Sequence, residues 1–413
     1  MKCRHCGSEL RLPFLDLGSA PPSNAYLTDA GLRAPEVWYP LRLLVCESCW
    51  LVQTEDHAGR EALFTGDYAY FSSFSTTWLA HAEHYVQAMI ERFELDASSR
   101  VVEVAANDGY LLQYVRAADI PCYGIEPTAS TAAAARVKGI EIVERFFGAE
   151  LADELAGAGK QADLIAANNV LAHVPEINDF VKGFARLLKP QGVATFEFPH
   201  LLRMVRENQF DTAYHEHYSY LSLTAIERIF THNGLAVFDV EELPTHGGSL
   251  RIFAQRRDTG RQEVTPKVTA LRKVEADAGM AAAGFYSGFQ AKAEKVKEDL
   301  LIFLIDAKRQ GLSVAAYGAA AKGNTLLNFA GVRPDLLPYV ADKNPAKQGK
   351  FMPGSRIPIV AEAHLKTGRP DRVVILPWNL RAEIMAQLEY VREWDGQFVA
   401  AVPTLAVTKG SHI

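Results

Sequence analysis

Short apolar runs separated by amphipathic segments dominate the middle of this chain. The runs that stand out are 101–104, 122–126, 140–143, 162–166 and 193–198. Between them, apolar residues recur at helical spacing, for instance over 109–117 and 129–138. Short apolar runs that alternate with helices are typical of a parallel sheet covered on both faces. The pattern therefore predicts an α/β domain that ends near residue 256.

A second α/β pattern follows a long helical stretch. Residues 259–310 are rich in Ala, Lys and Glu at helical spacing, which predicts a connecting helix or a helix pair. Further apolar runs then predict strands at 314–317, 339–342, 373–376 and 398–402. The segment 318–324 predicts a tight turn into a helix. We therefore expect a second, Rossmann-like domain at the end of the chain.

Two C-x-x-C pairs mark the first 60 or so residues as a separate module. Cys3 with Cys6 and Cys46 with Cys49 can supply four thiolates, a ligand set that suits a closed, structural Zn²⁺ site. The alternative is two disulfides, which the absence of a signal-peptide pattern disfavours. Cys122 stands alone, and we expect it to be a core thiol.

Composition excludes several classes of function. The 413 residues suffice for two or three domains, and charged residues make up 22% of them. A net charge of −6 argues against a nucleic-acid-binding surface. No apolar run is long enough to suggest a membrane span. We expect a cytoplasmic protein, monomeric or a small homo-oligomer, with no nucleic-acid partner and no membrane association.

Polar residues cluster where three predicted strands of the middle domain end. In an open α/β sheet, ligands bind at the carboxyl ends of strands, near the point where the strand order reverses. The candidates are Glu103, Ala105, Asn107 and Gly109 around the first turn, Glu126 at the second strand end and Asn168 at the fourth. A carboxylate at Glu126 could accept both ribose hydroxyls of an adenosine, which favours an S-adenosylmethionine pocket. The absence of G-x-G-x-x-G disfavours NAD there, and plain strand-end carboxylates are the alternative.

The densest polar and aromatic cluster lies at 211–220, in the string Asp-Thr-Ala-Tyr-His-Glu-His-Tyr-Ser-Tyr. An extended strand would send Tyr214, Glu216 and His217 to different sides, so we expect a turn over the pocket. Histidine is the natural base near neutral pH, and tyrosine can donate to a developing enolate oxygen. The candidate bases are His217, His215 and His173. The H-E-x-x-H spacing of a metal site is absent.

These motifs together resemble the sugar C-methyltransferases, especially the 3-C-methyltransferases of tetronitrose and mycarose biosynthesis. The segments that carry the resemblance are Pro21-Pro22-Ser23-Asn24, Gly66-Asp67-Tyr68, 106–112, 214–220, 245–251 and 317–323. The string Tyr-His-Glu-His-x-Ser-Tyr at 214–220 is the most specific of them. The resemblance extends over essentially the whole chain.

The resemblance implies a fold, a reaction and roles for individual residues. It implies a zinc-binding module at 1–66, a Rossmann-like class I S-adenosylmethionine methyltransferase domain at 67–256 and a Rossmann-like nucleotide-sugar domain at 257–413. The substrate would be a dTDP-linked or similar 4-keto-6-deoxysugar, methylated at C3 through an enolate. His217 would be the base, and Tyr214, Glu216 and Tyr68 would surround the sugar.

The last domain offers further candidates for binding the substrate. Lys322, at the start of a predicted helix, could meet a phosphate, and Asn379 could bind the phosphate or the base. His246 lies in a Gly-rich segment that could close over the sugar. A second NAD site or a domain without a ligand are the alternatives. For the whole chain, the alternatives are an O- or N-methyltransferase and a zinc-dependent interaction protein.

Overall fold

The computed structural model describes residues 1–57 and 71–408, and Tyr68 lies outside these ranges. The strands are β1 (Leu12–Ala20), β2 (Tyr39–Val45), β3 (Val52–Thr54), β4 (Val101–Val104), β5 (Cys122–Ile125), β6 (Glu141–Val143), β7 (Ala162–Asn168), β8 (Leu188–Pro199), β9 (Ser219–Tyr220), β10 (Leu235–Leu243), β11 (Ser249–Arg256), β12 (Val314–Tyr317), β13 (Val340–Asp342), β14 (Ile359–Ala361), β15 (Arg372–Ile375), β16 (Gln397–Ala400) and β17 (Ala406–Thr408).

The helices surround three sheets formed by these strands. They are α1 (Thr76–Phe93), α2 (Leu112–Ala117), α3 (Ala129–Val137), α4 (Ala149–Gly157), α5 (Ile177–Leu187), α6 (Leu201–Arg206), α7 (Leu223–His232), α8 (Pro266–Asp277), α9 (Ala283–Tyr286), α10 (Phe289–Arg309), α11 (Ala321–Ala330), α12 (Ala363–Gly368) and α13 (Arg381–Gln387). None of the helices in the described ranges combines the length and apolar composition that a membrane crossing requires.

The first sheet is antiparallel and contains residues from distant parts of the chain. Within the described residues its order is β1-β2-β3-β9. Three strands come from the cysteine-rich module, whereas β9 lies more than 160 residues later and pairs with β3. The cysteine-rich module therefore packs directly against the segment that follows His217.

The second sheet carries the middle α/β pattern. Across the part of the chain that the structure describes, its strand order is β10-β11-β8-β7-β4-β5-β6. Strands β4 to β8 are parallel, and β11 pairs antiparallel with β8 and β10. All four residues of β4 are buried, as expected for a strand with helices on both faces. The predicted helix from residue 109 begins only at Leu112, because Gly109 adopts a left-handed φ of 74°.

The third sheet has the order β14-β13-β12-β15-β16-β17 among the described residues. Its strands are parallel except for β17, which pairs antiparallel with β16. The helical stretch before it comprises α8, α9 and the long α10. The predicted fold class is thereby confirmed: an α/β chain with a four-cysteine N-terminal cluster, a Rossmann-like middle domain and a C-terminal sheet domain.

Hydrogen bonds join the C-terminal sheet domain to the two preceding parts. The Thr325 hydroxyl on α11 donates to the Ala213 carbonyl at 2.8 Å, beside the predicted catalytic segment. The Tyr26 hydroxyl, from the cysteine-rich module, donates to the Ala319 carbonyl at 2.6 Å. These buried and half-buried contacts bring the carboxyl ends of β4 and β12 toward one shared space.

Candidate active site

A cavity of about 440 Å³ lies between the second and third sheets. The strand order reverses between β4 and β7 in the second sheet, and between β12 and β15 in the third. Residues that follow all four strands line the cavity, including Ala105, Asn169, Ala320 and Pro377. Both switch points therefore open into the same space, which is where open α/β sheets bind ligands.

The turn after β4 is pressed against β5. Ala105 and Asn107 have positive φ angles of 61° and 48°, so the backbone curls tightly over the strand end. The amides of Ala105 and Ala106 both donate to the Ile125 carbonyl, at 2.8 and 3.2 Å. A Cβ at Gly124 would lie only 2.5 Å from the Cβ of Ala106. The missing side chain at Gly124 therefore lets the turn lie close to β5, although the turn itself has alanines at positions 105 and 106.

The chemistry of this half of the cavity fits an adenosine. The Glu126 carboxylate accepts hydrogen bonds from the amides of Asn107 and Thr128, both at 2.9 Å, and it lines the cavity. Burial raises the pKa of Glu126 despite these donors. Asn168 is 8% exposed, and its Nδ2 and Oδ1 find no hydrogen-bond partner among the described residues. A bound S-adenosylmethionine would meet the carboxylate and this amide at the ends of β5 and β7, the two strands on either side of β4.

Two of the predicted cofactor residues lie beneath the turn and not on the cavity wall. Glu103 is 0% exposed, and burial raises the pKa of its carboxyl well above the usual value. Gly109 packs close to Ile140, where an added Cβ would clash. Ala105, Asn107, Glu126 and Asn168 do line the cavity. The cofactor-binding roles of all six residues stay predictions.

The segment 214–220 forms a turn beside the cavity, as the residue pattern predicts. The His217 amide donates to the Tyr214 carbonyl at 2.9 Å, and the two rings lie 3.9 Å apart. His217 Nδ1 lies 2.9 Å from the Thr212 carbonyl. Because a carbonyl only accepts, Nδ1 carries the hydrogen and Nε2 keeps its lone pair. Burial, with help from His173, holds the pKa of His217 well below 6.5.

The three candidate bases occupy different places. His217 and His173 line the cavity with their rings 4.6 Å apart. Burial lowers the pKa of His173 to about 4. His215 is not among the lining residues, and its Nε2 lies 3.2 Å from the Tyr39 carbonyl. The geometry therefore brings together two of the three histidines.

Glu216 also reaches the cavity, and a residue of the cysteine-rich module holds it. The Asn24 side-chain amide donates to both oxygens of the Glu216 carboxylate, at 2.8 and 3.0 Å. Both residues line the cavity. Asn24 belongs to the Pro-Pro-Ser-Asn segment that carries part of the family resemblance, but the sequence alone did not assign it to the site.

The third-sheet wall brings Lys322 and Asn379 together. Lys322 Nζ donates to Asn379 Oδ1 at 2.6 Å and lies 4.4 Å above the Trp378 ring. Trp378 in turn donates through Nε1 to the Asp211 carboxylate at 2.8 Å. Burial lowers the pKa of Lys322 to about 8 and raises the pKa of Asp211 to about 6. The described residues give Lys322 no ion pair within 4.0 Å.

His246 lies on the cavity wall. Its Nε2 accepts a hydrogen bond from the Asn169 side-chain amide at 3.0 Å. Its ring lies 5.3 Å from the indole of Trp78. Burial lowers the pKa of His246 to about 4, so its imidazole is neutral at pH 7. Asn169 follows Asn168 at the end of β7, where the sequence predicts amides that could bind the cofactor. Trp78 was not predicted to belong to the site, although it closes an aromatic stretch of the sequence.

The four N-terminal cysteines form a cluster away from this cavity. Their sulfurs lie within 4.8 Å of one another, with Cys3 3.6 Å from Cys49 and Cys6 3.4 Å from Cys46. Four sulfurs bound tetrahedrally to Zn²⁺ at about 2.3 Å would be separated by about 3.8 Å. Gln53 Nε2 donates to Cys3 Sγ at 3.3 Å, a typical second partner for a metal-bound thiolate. The residues present fit a closed zinc site.

Comparison with protein families covers nearly the whole chain. Residues 3–64 match the family described as "Putative zinc binding domain", and residues 78–240 match the one described as "Methyltransferase domain". Residues 244–403 match the family described as "C-methyltransferase C-terminal domain".

One curated relative and several solved structures are similar to this chain over different shares of its length. C-methyltransferase NovU from Streptomyces niveus is 33% identical over 402 residues, which cover 97% of this chain and 95% of NovU. Among solved structures, magnesium protoporphyrin IX methyltransferase (ChlM) from Synechocystis, with bound SAM, is 17% identical with a TM-score of 0.34, over 43% of this chain and 79% of that chain. A S-adenosylmethionine-dependent methyltransferase from Clostridium acetobutylicum is 10% identical with a TM-score of 0.35, over 43% of this chain and 92% of that chain.

Proposed function

This chain belongs to the family of S-adenosylmethionine-dependent C-methyltransferases that includes NovU, and we propose that it methylates C3 of a nucleotide-linked 4-keto-6-deoxysugar through an enolate. The predicted enzyme class, the S-adenosylmethionine cofactor and the zinc module are confirmed by that membership and by the four-cysteine cluster. The sugar, the carbon and the mechanism are our proposal. The observation that carries it is the His217 imidazole, oriented at the cavity wall against Tyr214.

Carbon methylation needs a nucleophilic carbon, and the residues around His217 suit its formation. S-adenosylmethionine, when bound, supplies a methyl group on a positively charged sulfur. A proton next to a ketone can be removed only if a base accepts it while donors hold the charge on the ketone oxygen. Burial keeps His217 neutral at pH 7, so Nε2 can take the C3 proton. A base with a low pKa has little tendency to accept a proton. The anionic substrate would therefore have to raise the pKa of His217 when it binds.

Tyr214 and Glu216 would hold the sugar in place. The Tyr214 ring lies against His217 and lines the cavity, so its hydroxyl is a candidate donor to the C4 oxygen as charge develops there. The Glu216 carboxylate, fixed by Asn24, can accept hydrogen bonds from sugar hydroxyls. Productive transfer requires the reacting atoms to approach to roughly 3–3.5 Å, so this positioning is the main contribution of the wall. Tyr68, the fourth residue of the proposed set, lies outside the described residues.

Lys322 and the start of α11 would bind the diphosphate of the nucleotide. The lysine faces the cavity, Asn379 orients it, and the described residues supply no carboxylate partner within 4.0 Å. Burying an ammonium is unfavourable, and the Asp211 carboxylate attracts Lys322 only at longer range, so a bound diphosphate would supply charge in direct contact. α11 begins at Ala321, where the helix dipole favours an anion. Lys347, which lines the same wall, adds a second positive charge. His246 would close over the sugar from the opposite wall.

The experiment follows the fate of the C3 hydrogen. The zinc-loaded protein is incubated in D₂O with S-adenosylmethionine and dTDP-4-keto-6-deoxyglucose or its 2-deoxy analogue, and mass spectrometry follows both methyl gain and deuterium uptake. We expect one methyl on carbon, with loss of the C3 hydrogen. His217→Asn should abolish deuterium uptake, whereas His84→Asn, an exposed position on α1, should not. A methyl on oxygen or nitrogen with the C3 hydrogen retained would favour the O- or N-methyltransferase alternative.

A further inference from the structure

The cysteine-rich module shares a sheet with the end of the catalytic turn. In the β3–β9 pair, Val52 lies opposite Tyr220 and Gln53 lies opposite Ser219. Strand β9 begins only two residues after His217. The last strand of the module therefore runs directly beside the backbone that carries the proposed base. This contact gives the zinc module a connection to the active site in addition to its structural role.

Thr54, the last residue of β3, binds this backbone directly. Its hydroxyl donates to the His217 carbonyl at 2.6 Å, and its amide donates to the Tyr218 carbonyl at 3.1 Å. Thr54 is buried. His217 is otherwise anchored through its amide on Tyr214 and its Nδ1 on Thr212. The module thus supplies one of the hydrogen bonds that fix the position of His217.

Arg4 makes a second connection, toward the neighbouring histidine. It lies between the first two cysteines, and its side chain is almost fully buried. Its guanidinium donates to the Pro175 carbonyl at 3.2 Å and to the Thr54 carbonyl at 3.0 Å. The same group lies 5.2 Å above the Tyr218 ring. Pro175 follows His173 by two residues, so Arg4 ties together the two segments that carry the cavity histidines.

Gln53 links both connections to the cysteine cluster. Its Nε2 donates to Cys3 Sγ at 3.3 Å, and its Oε1 accepts from the Arg4 amide at 2.9 Å. Gln53 is fully buried, so neither bond competes with water. A chain of hydrogen bonds therefore runs from a metal-ligating sulfur through β3 to the His217 carbonyl.

We propose that Thr54 and Arg4 are positioning residues, through which the zinc module sets the placement of the His217 and His173 imidazoles. This role depends on the proposed function, since it assumes that His217 is the base. A displacement of about 1 Å at a reacting group can cost about 100-fold in rate, so a small backbone shift suffices to affect chemistry. The zinc site would then support catalysis as well as folding.

A conservative series at Thr54 tests this role. Thr54→Val keeps the shape and removes the hydroxyl, whereas Thr54→Ser keeps the donor. Tyr286→Phe is the matched control, because it removes another buried hydroxyl that donates to a backbone carbonyl, that of Met280 at 2.8 Å, outside the cavity lining. For each variant we would measure C3 deuterium uptake and its pH profile, KM, the Kd for S-adenosylmethionine, bound zinc and Tm.

The positioning role predicts a distinctive combination of results. Thr54→Val should lose about tenfold in deuterium uptake, with cofactor Kd and zinc content unchanged, and Thr54→Ser should stay within about twofold of the parent. Tyr286→Phe should lower Tm without changing uptake. Should Thr54→Val fail to fold, Arg4→Lys, which keeps the charge but not the fork of donors, should show the same loss.

Different outcomes would overturn different steps. Parent-like uptake in Thr54→Val, or a loss matched by Tyr286→Phe at equal Tm, would refute the positioning role. Uptake that survives in His217→Asn would instead refute the proposed base. Loss in His217→Asn together with parent-like Thr54→Val would leave the proposed function intact and reject the role of the zinc module.

Discussion

Gly124 is the position where one added methyl group tests how the cofactor turn is held. An alanine Cβ there would lie 2.5 Å from Ala106 Cβ and 2.7 Å from Ile142 Cδ1, distances that real contacts essentially never reach. Ile142 can rotate away, but Ala106 Cβ is attached directly to a backbone that is hydrogen-bonded to Ile125. Overpacking of this kind typically costs about 1–3 kcal/mol. We therefore expect Gly124→Ala to lower the free energy of unfolding by about 2 kcal/mol.

The same substitution should weaken cofactor binding, because the turn after β4 must move away from β5 to make room. A loss of about tenfold in affinity for S-adenosylmethionine corresponds to about 1.4 kcal/mol. Urea denaturation and isothermal titration calorimetry measure the two quantities. Gly157→Ala is the control: no atom lies within 4 Å of its added Cβ, and alanine in a helix is favoured by about 0.5–1 kcal/mol. Equal stability and affinity in the two variants would refute the close contact beneath the turn.

Three further outcomes follow from the site. The kcat/KM for C3 deuterium uptake, which reports the enzyme before substrate binds, should fall at acid pH with an apparent pKa below 6.5, because burial holds the pKa of His217 low and protonation removes the base. An acid limb at or above 6.5 in this kcat/KM profile would contradict the assignment. Lys322→Met should raise KM for the dTDP-sugar by about tenfold or more without changing the Kd for S-adenosylmethionine. Lys308→Met, at an exposed position, should leave KM unchanged. An unchanged KM in Lys322→Met would exclude a role for Lys322 in binding the phosphates. Cys49→Ser should lose bound zinc and lower Tm, whereas Cys122→Ser should retain zinc, as metal analysis would measure. Retained zinc in Cys49→Ser would exclude a four-cysteine site.

Local sequence patterns were sufficient for most of the buried parallel strands and for the cysteine cluster. Buried parallel strands are continuous apolar runs, so β4, β5 and β7 could be located without knowing their neighbours. Each C-x-x-C pair supplies two of the four ligands of the metal site, so each half of the site is visible in the local sequence. The turn before β9 could be predicted because the alternation of an extended strand would separate the Tyr214, Glu216 and His217 side chains, which we propose to act together.

Contacts between distant segments could not be predicted in this way. Asn169 meets His246 across 77 positions, and Asp211 meets Trp378 across 167. Nothing local to either partner indicates the other. The first pair forms when the end of β7 meets the connection between β10 and β11, and the second forms when the second and third sheets face each other. Gly124 shows the same limit, because its role is visible only once Ala106 is placed above it.

The pairing of β3 with β9 has a consequence for synthesis on the ribosome. The first sheet takes its fourth described strand from Ser219–Tyr220, so it cannot be complete until more than half of the chain has emerged. The cysteines of the first 50 residues can meet a metal long before then. Between these two moments β3 presents an unpaired edge, the kind of surface on which nascent chains associate wrongly. An early metal site therefore secures the beginning of the chain while its closing strand is still being translated.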